Sequence, residues 1–150
     1  MVPSVRMILA SESPRRRELL AAVGVPFRVV PSGVDEIPRP GESPPRFVRR
    51  AALDKGEAVA ALHPSSFVLS ADTIVVADGR ILGKPRDRAE ARRMLSRLAG
   101  REHRVHTAIC LLCRERGAQG GVAATYHDHV VHQNWYLRRP PSTGITVPVM

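Results

Sequence analysis

Three groups of residues in this chain have the types and spacing to do chemistry. The first is Ser11-Glu12-Ser13-Pro14-Arg15-Arg16-Arg17, which follows an apolar run from Val5 to Ala10 broken by one arginine and leads directly into a helical pattern. A strand that breaks into a helix through small hydroxyl residues leaves backbone N–H groups without acceptors. The helix dipole adds positive potential there, so the junction suits an anion, phosphate above all. Ser13 is a good N-cap and Pro14 a good first helical residue. Arg15 and Arg16 can add charge-assisted, bidentate contacts to phosphate oxygens. Capping alone also accounts for the string, as an ordinary helix start with solvated arginines. The second group is Asp72, which sits inside the apolar run from Phe67 to Val76. Burying a carboxylate without a partner or a metal is costly, so a role is expected of it. The third is a pair of lysines. Of 23 basic residues only Lys55 and Lys84 are lysine, and a compact ammonium is not interchangeable with a guanidinium. Asp35-Glu36 adds a carboxylate pair in a loop, facing a metal, a ribose or only solvent.

The elements that must position these groups read as follows. Val5–Ala10 is a first strand. Pro14–Val23 is a helix with Leu19, Leu20 and Val23 on one side and Gly24 as its stop. Phe27–Val30 is a short strand, and the proline- and glycine-rich stretch from Pro31 to Pro45 is a loop carrying Asp35, Glu36 and Glu42. Arg46–Leu62 is a helix whose apolar face is approximated by Val48, Ala52, Val59 and Leu62, with Lys55 expected on the polar side. Gly56 beside it either weakens the helix or permits a close approach, and His63-Pro64 ends it. The strand from Phe67 runs through Asp72 to Val76. Asp78-Gly79 is a hairpin turn pairing Ile74–Val76 with Arg80–Leu82, which brings Lys84 back toward Asp72. Asp87 and Glu90 form a capping box for a helix to Leu98 closed by Gly100, and His103–Cys113 is a further strand. Beyond Arg114 the pattern weakens: a turn at 117–121, a strand at Val122–Val131 and an unstructured stretch at 138–144.

Composition narrows the classes. At 150 residues with 43% hydrophobic content the chain can build a core. It has no apolar run of about 18 residues or more and no signal-peptide pattern, so a membrane span is not expected and a cytoplasmic location is. Cys110 and Cys113 lie in an apolar strand without a second ligand pair, which reads as buried thiols rather than zinc ligands. His127 and His129 share a strand face but His132 does not, and no acidic or cysteine partner is nearby to complete a metal site. The formal charge of +9 points to an anionic partner, while an aromatic content of 4% leaves few stacking residues for single-stranded nucleic acid.

The order of motifs resembles one family. Leu-Ala-Ser-x-Ser-Pro-Arg-Arg-x-Glu-Leu-Leu at 9–20, Asp-Glu at 35–36, the helix with Lys55, Ser-Ala-Asp-Thr-Ile-Val at 70–75, Ile-Leu-Gly-Lys-Pro at 81–85 and the stretch Met94 to Thr107 are similar to the Maf family over roughly residues 5–113. The resemblance implies an α/β fold: a mixed, twisted sheet flanked by helices, related to the inosine triphosphatase type. It also implies hydrolysis of nucleoside triphosphates to monophosphate and pyrophosphate, in a family linked to septum formation. Asp72 is then the general base or a ligand of a divalent metal, Mg2+ or Mn2+, that Glu36 helps to hold. Ser11, Ser13, Arg15 and Arg16 hold the triphosphate, and Lys55 and Lys84 neutralise its oxygens. Ala-Asp-Thr at 71–73 with Arg15 resembles the dTTP/UTP type, so Arg15 and Thr73 carry base preference. Members often dimerise, so a homodimer is an expected partner, whereas nucleic acid and membrane are not. The family's later segments are not recognisable after about 114, which divides the chain into a nucleotide-binding part, 1–113, and a divergent tail, 114–150, with the C-terminal lobe incomplete. Two other readings follow from that loss and from the charge: a remnant that binds nucleotide without turnover, and, disfavoured by the motif order, a basic nucleic-acid-binding module.

Overall fold

The computed structural model describes residues 7–115 and the backbone of 123–132. The turn at 117–121, the stretch at 138–144 and the side chains of His127, His129 and His132 lie outside the described residues. The elements are β1 (Met7–Leu9), α1 (Pro14–Ala22), β2 (Phe27–Val29), α2 (Pro44–Leu62), β3 (Phe67–Ala77), β4 (Arg80–Leu82), α3 (Arg88–Leu98), β5 (Glu102–Leu112) and β6 (Ala123–His132). Six strands form one mixed sheet in the order β2-β1-β3-β5-β6, with β4 on the far end of β3. The two βαβ units β1-α1-β2 and β2-α2-β3 make β2, β1 and β3 parallel, as helical crossovers require. The later strands are joined without such crossovers to their neighbours and pair antiparallel. β6 pairs with β5 along its length, Leu111 opposite Ala123 and Glu102 opposite His132. The sheet therefore continues past residue 113.

The core lies between α2 and the sheet. Phe47, Val48, Ala51 and Ala52 pack on Ile74, Val76, Ala108 and Cys110, and Val59 and Ala60 pack on Ile8, Ala10 and Val68. Two sequence expectations are corrected here. Lys55 is on the buried face of α2, not the polar one, and Leu62 is 75% exposed. Positions 48, 52, 55 and 59 follow one helical stripe, so Lys55 shares the face of the apolar residues around it, while Leu62 lies at the last turn. Gly56 provides a close approach: a Cβ there would lie 2.7 Å from Ser70 Oγ, and that hydroxyl donates to the Ala52 carbonyl at 2.7 Å. The apolar side expected for α1 is also not buried. No α1 residue is buried, and Leu19 and Val23 are 63% and 71% exposed.

The turns follow their residues. Asp78 and Gly79 both have positive φ, 51° and 71°, the backbone of a two-residue hairpin turn. At α3, Asp87 caps the Glu90 N–H at 2.7 Å. The box is not reciprocal, however, because the Glu90 carboxylate accepts from the Arg86 N–H and guanidinium.

Candidate active site

The site forms where β1 ends and β3 continues. The Ala10 N–H donates to the Leu69 carbonyl at 2.8 Å, the last tie between those strands, and β3 then carries Ser70, Ala71, Asp72 and Thr73 beyond it. Carboxyl ends of parallel strands are where α/β sheets leave room for a ligand. Here they leave a cavity of about 470 Å³, lined by Ser11, Glu12, Ser13 and Arg16 from the β1–α1 junction, Ser32, Gly33, Val34 and Glu36 from the β2–α2 loop, Lys55 from α2, Asp72 and Thr73 from β3, and Lys84 after β4.

Lys55 is the centre of the charged groups. Its Nζ donates to Asp72 Oδ1 at 2.8 Å and pairs with Glu36 Oε1 at 2.5 Å. Asp72 is 3% exposed, and its Oδ2 is buried without a hydrogen-bond partner among the described residues. Burial pushes the Asp72 carboxyl above its usual range, the Lys55 ammonium pulls it back only in part, and Glu36 adds to the rise. Burial pushes Glu36 up too, but Lys55, Lys84 and Arg16 together hold it below its usual range. Two carboxylates at one cavity thus shift in opposite directions.

The start of α1 is not held by the expected cap. Ser13 occupies the N-cap of α1 and Pro14 the first turn, but the Ser13 side chain makes no capping bond. Instead, Ser11 Oγ accepts from the Ser13 N–H at 3.3 Å and from Arg16 Nη1 at 3.2 Å. Arg16 also donates to the Ala71 carbonyl at 2.8 Å and to Thr73 Oγ1 at 3.2 Å. Those two residues flank Asp72 on the opposite face of β3, so Arg16 fastens the α1 start to the strand behind the carboxylate.

The structure brings Ser11, Ser13, Arg16, Glu36, Lys55, Asp72, Thr73 and Lys84 to one cavity. Arg15 does not line it. It lies at a second, largely apolar opening with Leu19, Leu20, Leu69, Val105 and Ile109, which adjoins the first through Ser13, Arg16 and Thr73. Consecutive helical residues are about 100° apart, and of the two arginines only Arg16 reaches both openings. Glu12, Ser32 and Gly33 also line the cavity, and no spacing or motif in the sequence marks them out.

Among the described residues no group of three or more His, Cys, Asp or Glu converges as a metal site. The donor set nonetheless fits a hard divalent cation that takes one or two carboxylates and completes its shell with water and substrate phosphate: Asp72 has an unpaired buried oxygen and Glu36 stays ionised beside it.

Solved structures share this fold. A nucleoside-triphosphatase (dITP/XTP pyrophosphatase) from Mycobacterium abscessus superposes with a TM-score of 0.53 at 18% identity, covering 85% of this chain and 73% of that one. The Ham1 protein of Staphylococcus aureus superposes with a TM-score of 0.53 at 14% identity, covering 84% and 69%. The family itself is set by sequence. The model of the family described as Maf-like protein matches residues 6–143, and the chain belongs to that family. A dTTP/UTP pyrophosphatase of Syntrophus aciditrophicus is 53% identical over 112 residues, 75% of this chain and 55% of that protein. One of Bacillus cytotoxicus is 51% identical over 132 residues, 88% of this chain and 66% of that protein. The chain thus spans about half to two thirds of the length of these curated relatives.

Proposed function

We propose that the chain binds a nucleoside triphosphate in the Ser11–Lys84 cavity and hydrolyses it to nucleoside monophosphate and pyrophosphate. The observation that carries this is Asp72: a buried carboxylate with one oxygen on Lys55 and the other unpaired, in a cavity that also holds Arg16 and Lys84 beside Glu12 and Glu36. A polyanion attacked by water needs charge neutralisation, positioning and a proton acceptor. The water oxygen forms a bond to the α-phosphorus, the bond from that phosphorus to the bridging oxygen breaks, and pyrophosphate leaves. The proton of the water passes to Asp72 Oδ2, whose raised pKa suits a general base. Lys55 fixes the Asp72 carboxylate through Oδ1, so the free oxygen is held in one orientation.

Lys84, exposed at the cavity rim, and the α1 start with Ser11 and Ser13 take the phosphate oxygens. Arg16 secures that start and adds its charge. Glu36 would hold a divalent cation, Mg2+ or Mn2+, with Asp72 Oδ2 as a further ligand in the alternative where it is not the base, and the cation would supply charge neutralisation on the phosphates when bound. The relatives' names support dTTP and UTP as substrates. We assign base preference to Thr73, which lines both openings, and to Arg15 at the second. These site residues fall within 1–113, and the remainder, 114–150, is proposed as a tail outside the site even though β6 extends the sheet. No helix among the described residues is long and apolar enough to cross a membrane, in keeping with a proposed cytoplasmic place of action.

The test is pyrophosphate release from dTTP and UTP with Mg2+ by the wild type and by Asp72→Asn. We expect release by the wild type and a loss of at least about a hundredfold in the variant. Equal release by both would refute the assignment. One second reading is binding without turnover. Calorimetric dTTP binding with no pyrophosphate release would establish it.

A further inference from the structure

We propose that Arg50 is a positioning residue for this site: it locks the β2–α2 loop onto α2 so that the Glu36 carboxylate is held against Lys55. This rests on the reading of Glu36 and Lys55 as working groups of the cavity. The loop from Val30 to Ser43 has no strand or helix of its own, and a segment of that length would have many conformations unless tied down. Arg50 ties it. Its Nε donates to Glu42 Oε1 and its Nη2 to Glu42 Oε2, both at 2.7 Å, a bidentate fork. Nη2 also donates to the Ile37 carbonyl at 3.0 Å, one residue beyond Glu36. Nη1 donates to Asp54 Oδ2 at 3.0 Å, one residue before Lys55. The guanidinium lies 5.5 Å from the centre of the Phe47 ring, itself in the core. One planar group thus joins the residue following Glu36 to the residue preceding Lys55. Glu42 also accepts from the Arg39 N–H at 3.0 Å, which closes the loop on itself.

The chemistry of the fork makes arginine necessary, because a lysine ammonium cannot bond both Glu42 oxygens and a carbonyl in one plane. The lock is also insensitive to ordinary pH, since the Arg50 and Arg39 bonds hold the Glu42 carboxyl down at about 2.

The test uses Arg50→Met, Arg50→Lys and Glu42→Gln, the last retained in case Arg50→Met does not fold. The first readout is the Glu36 carboxyl titration followed by carbon NMR on folded protein, which needs no turnover. We expect it to rise toward the ordinary value of about 4.3 in each variant as Glu36 leaves Lys55. The second is a double-mutant cycle on dTTP hydrolysis. Arg50→Met should lower kcat by about tenfold or more in the wild type but by less than about twofold in a Glu36→Gln background. An unmoved Glu36 titration, or losses that multiply, would overturn the proposal. If the wild type releases no pyrophosphate, the hydrolytic reading fails while the titration still decides the role of Arg50.

Discussion

Replacing Lys55 by Met isolates the electrostatics of the site. Lys55 is 7% and Asp72 3% exposed, and at 2.8 Å their attraction is about 6 kcal/mol at an effective dielectric of about 20. Methionine keeps the volume of the stem and removes the charge, which leaves Asp72 buried and unpaired. Breaking a buried pair from one side costs about 3–5 kcal/mol, but the carboxyl can escape by taking a proton. The cost of keeping it neutral is about 1.4 kcal/mol for each pH unit above its unfolded pKa of about 3.9: about 4 kcal/mol at about pH 7 and about 1.5 at about pH 5. The sign follows from the direction of the shift. Asp72 already has a raised folded pKa, and losing Lys55 raises it further. Its stabilising contribution is therefore complete below the unfolded pKa and is lost as pH rises through the folded one. Urea denaturation of wild type and Lys55→Met at about pH 5 and about pH 7 should show the variant losing up to about 2–3 kcal/mol over that span and the wild type, whose Asp72 shift is smaller, losing less, so that the deficit grows with pH. Adding Asp72→Asn should flatten that dependence. A deficit that is independent of pH, or larger in acid, would show that Asp72 is not the buried charge that Lys55 compensates.

Other outcomes follow from the packing and the caps. Gly56→Ala should destabilise by about 1–3 kcal/mol in urea melts, because the new Cβ meets Ser70 Oγ at 2.7 Å. Gly56→Ala with Ser70→Ala should recover part of that loss, and no recovery would place the clash elsewhere. Asp87→Ala should cost about 1 kcal/mol, since its carboxylate caps α3. Ser13→Ala should leave the melt unchanged within about 0.5 kcal/mol but weaken dTTP binding, because that hydroxyl makes no cap bond and lines the cavity.

Much of the site was legible in residue order. A carboxylate within an apolar strand, two lysines in an arginine-rich chain and a hydroxyl-rich helix start each carry a local physical cost or preference, and these stand out without knowledge of the fold. The hairpin at Asp78-Gly79 and the cap at Asp87 were readable for the same reason, because backbone conformation and capping are set within a few residues. The Arg50 lock was not legible. Its one local signal is Asp54 at i+4, while the partners that fasten the loop, at 37 and 42, lie in a segment with no periodicity to align them.

The sequence by itself determined which chemical groups are present and the strands and helices that carry them, because propensity, capping and turn geometry act over short distances. The tertiary structure decided which way those groups face. Lys55 became a buried partner of Asp72 and Glu36 because α2 lies on the sheet along the stripe through 48, 52, 55 and 59. Arg16 reaches the cavity and Arg15 only the second opening because of how α1 is set against β3. The face an element buries is fixed by the surface it packs on, and that surface comes from residues distant in the chain.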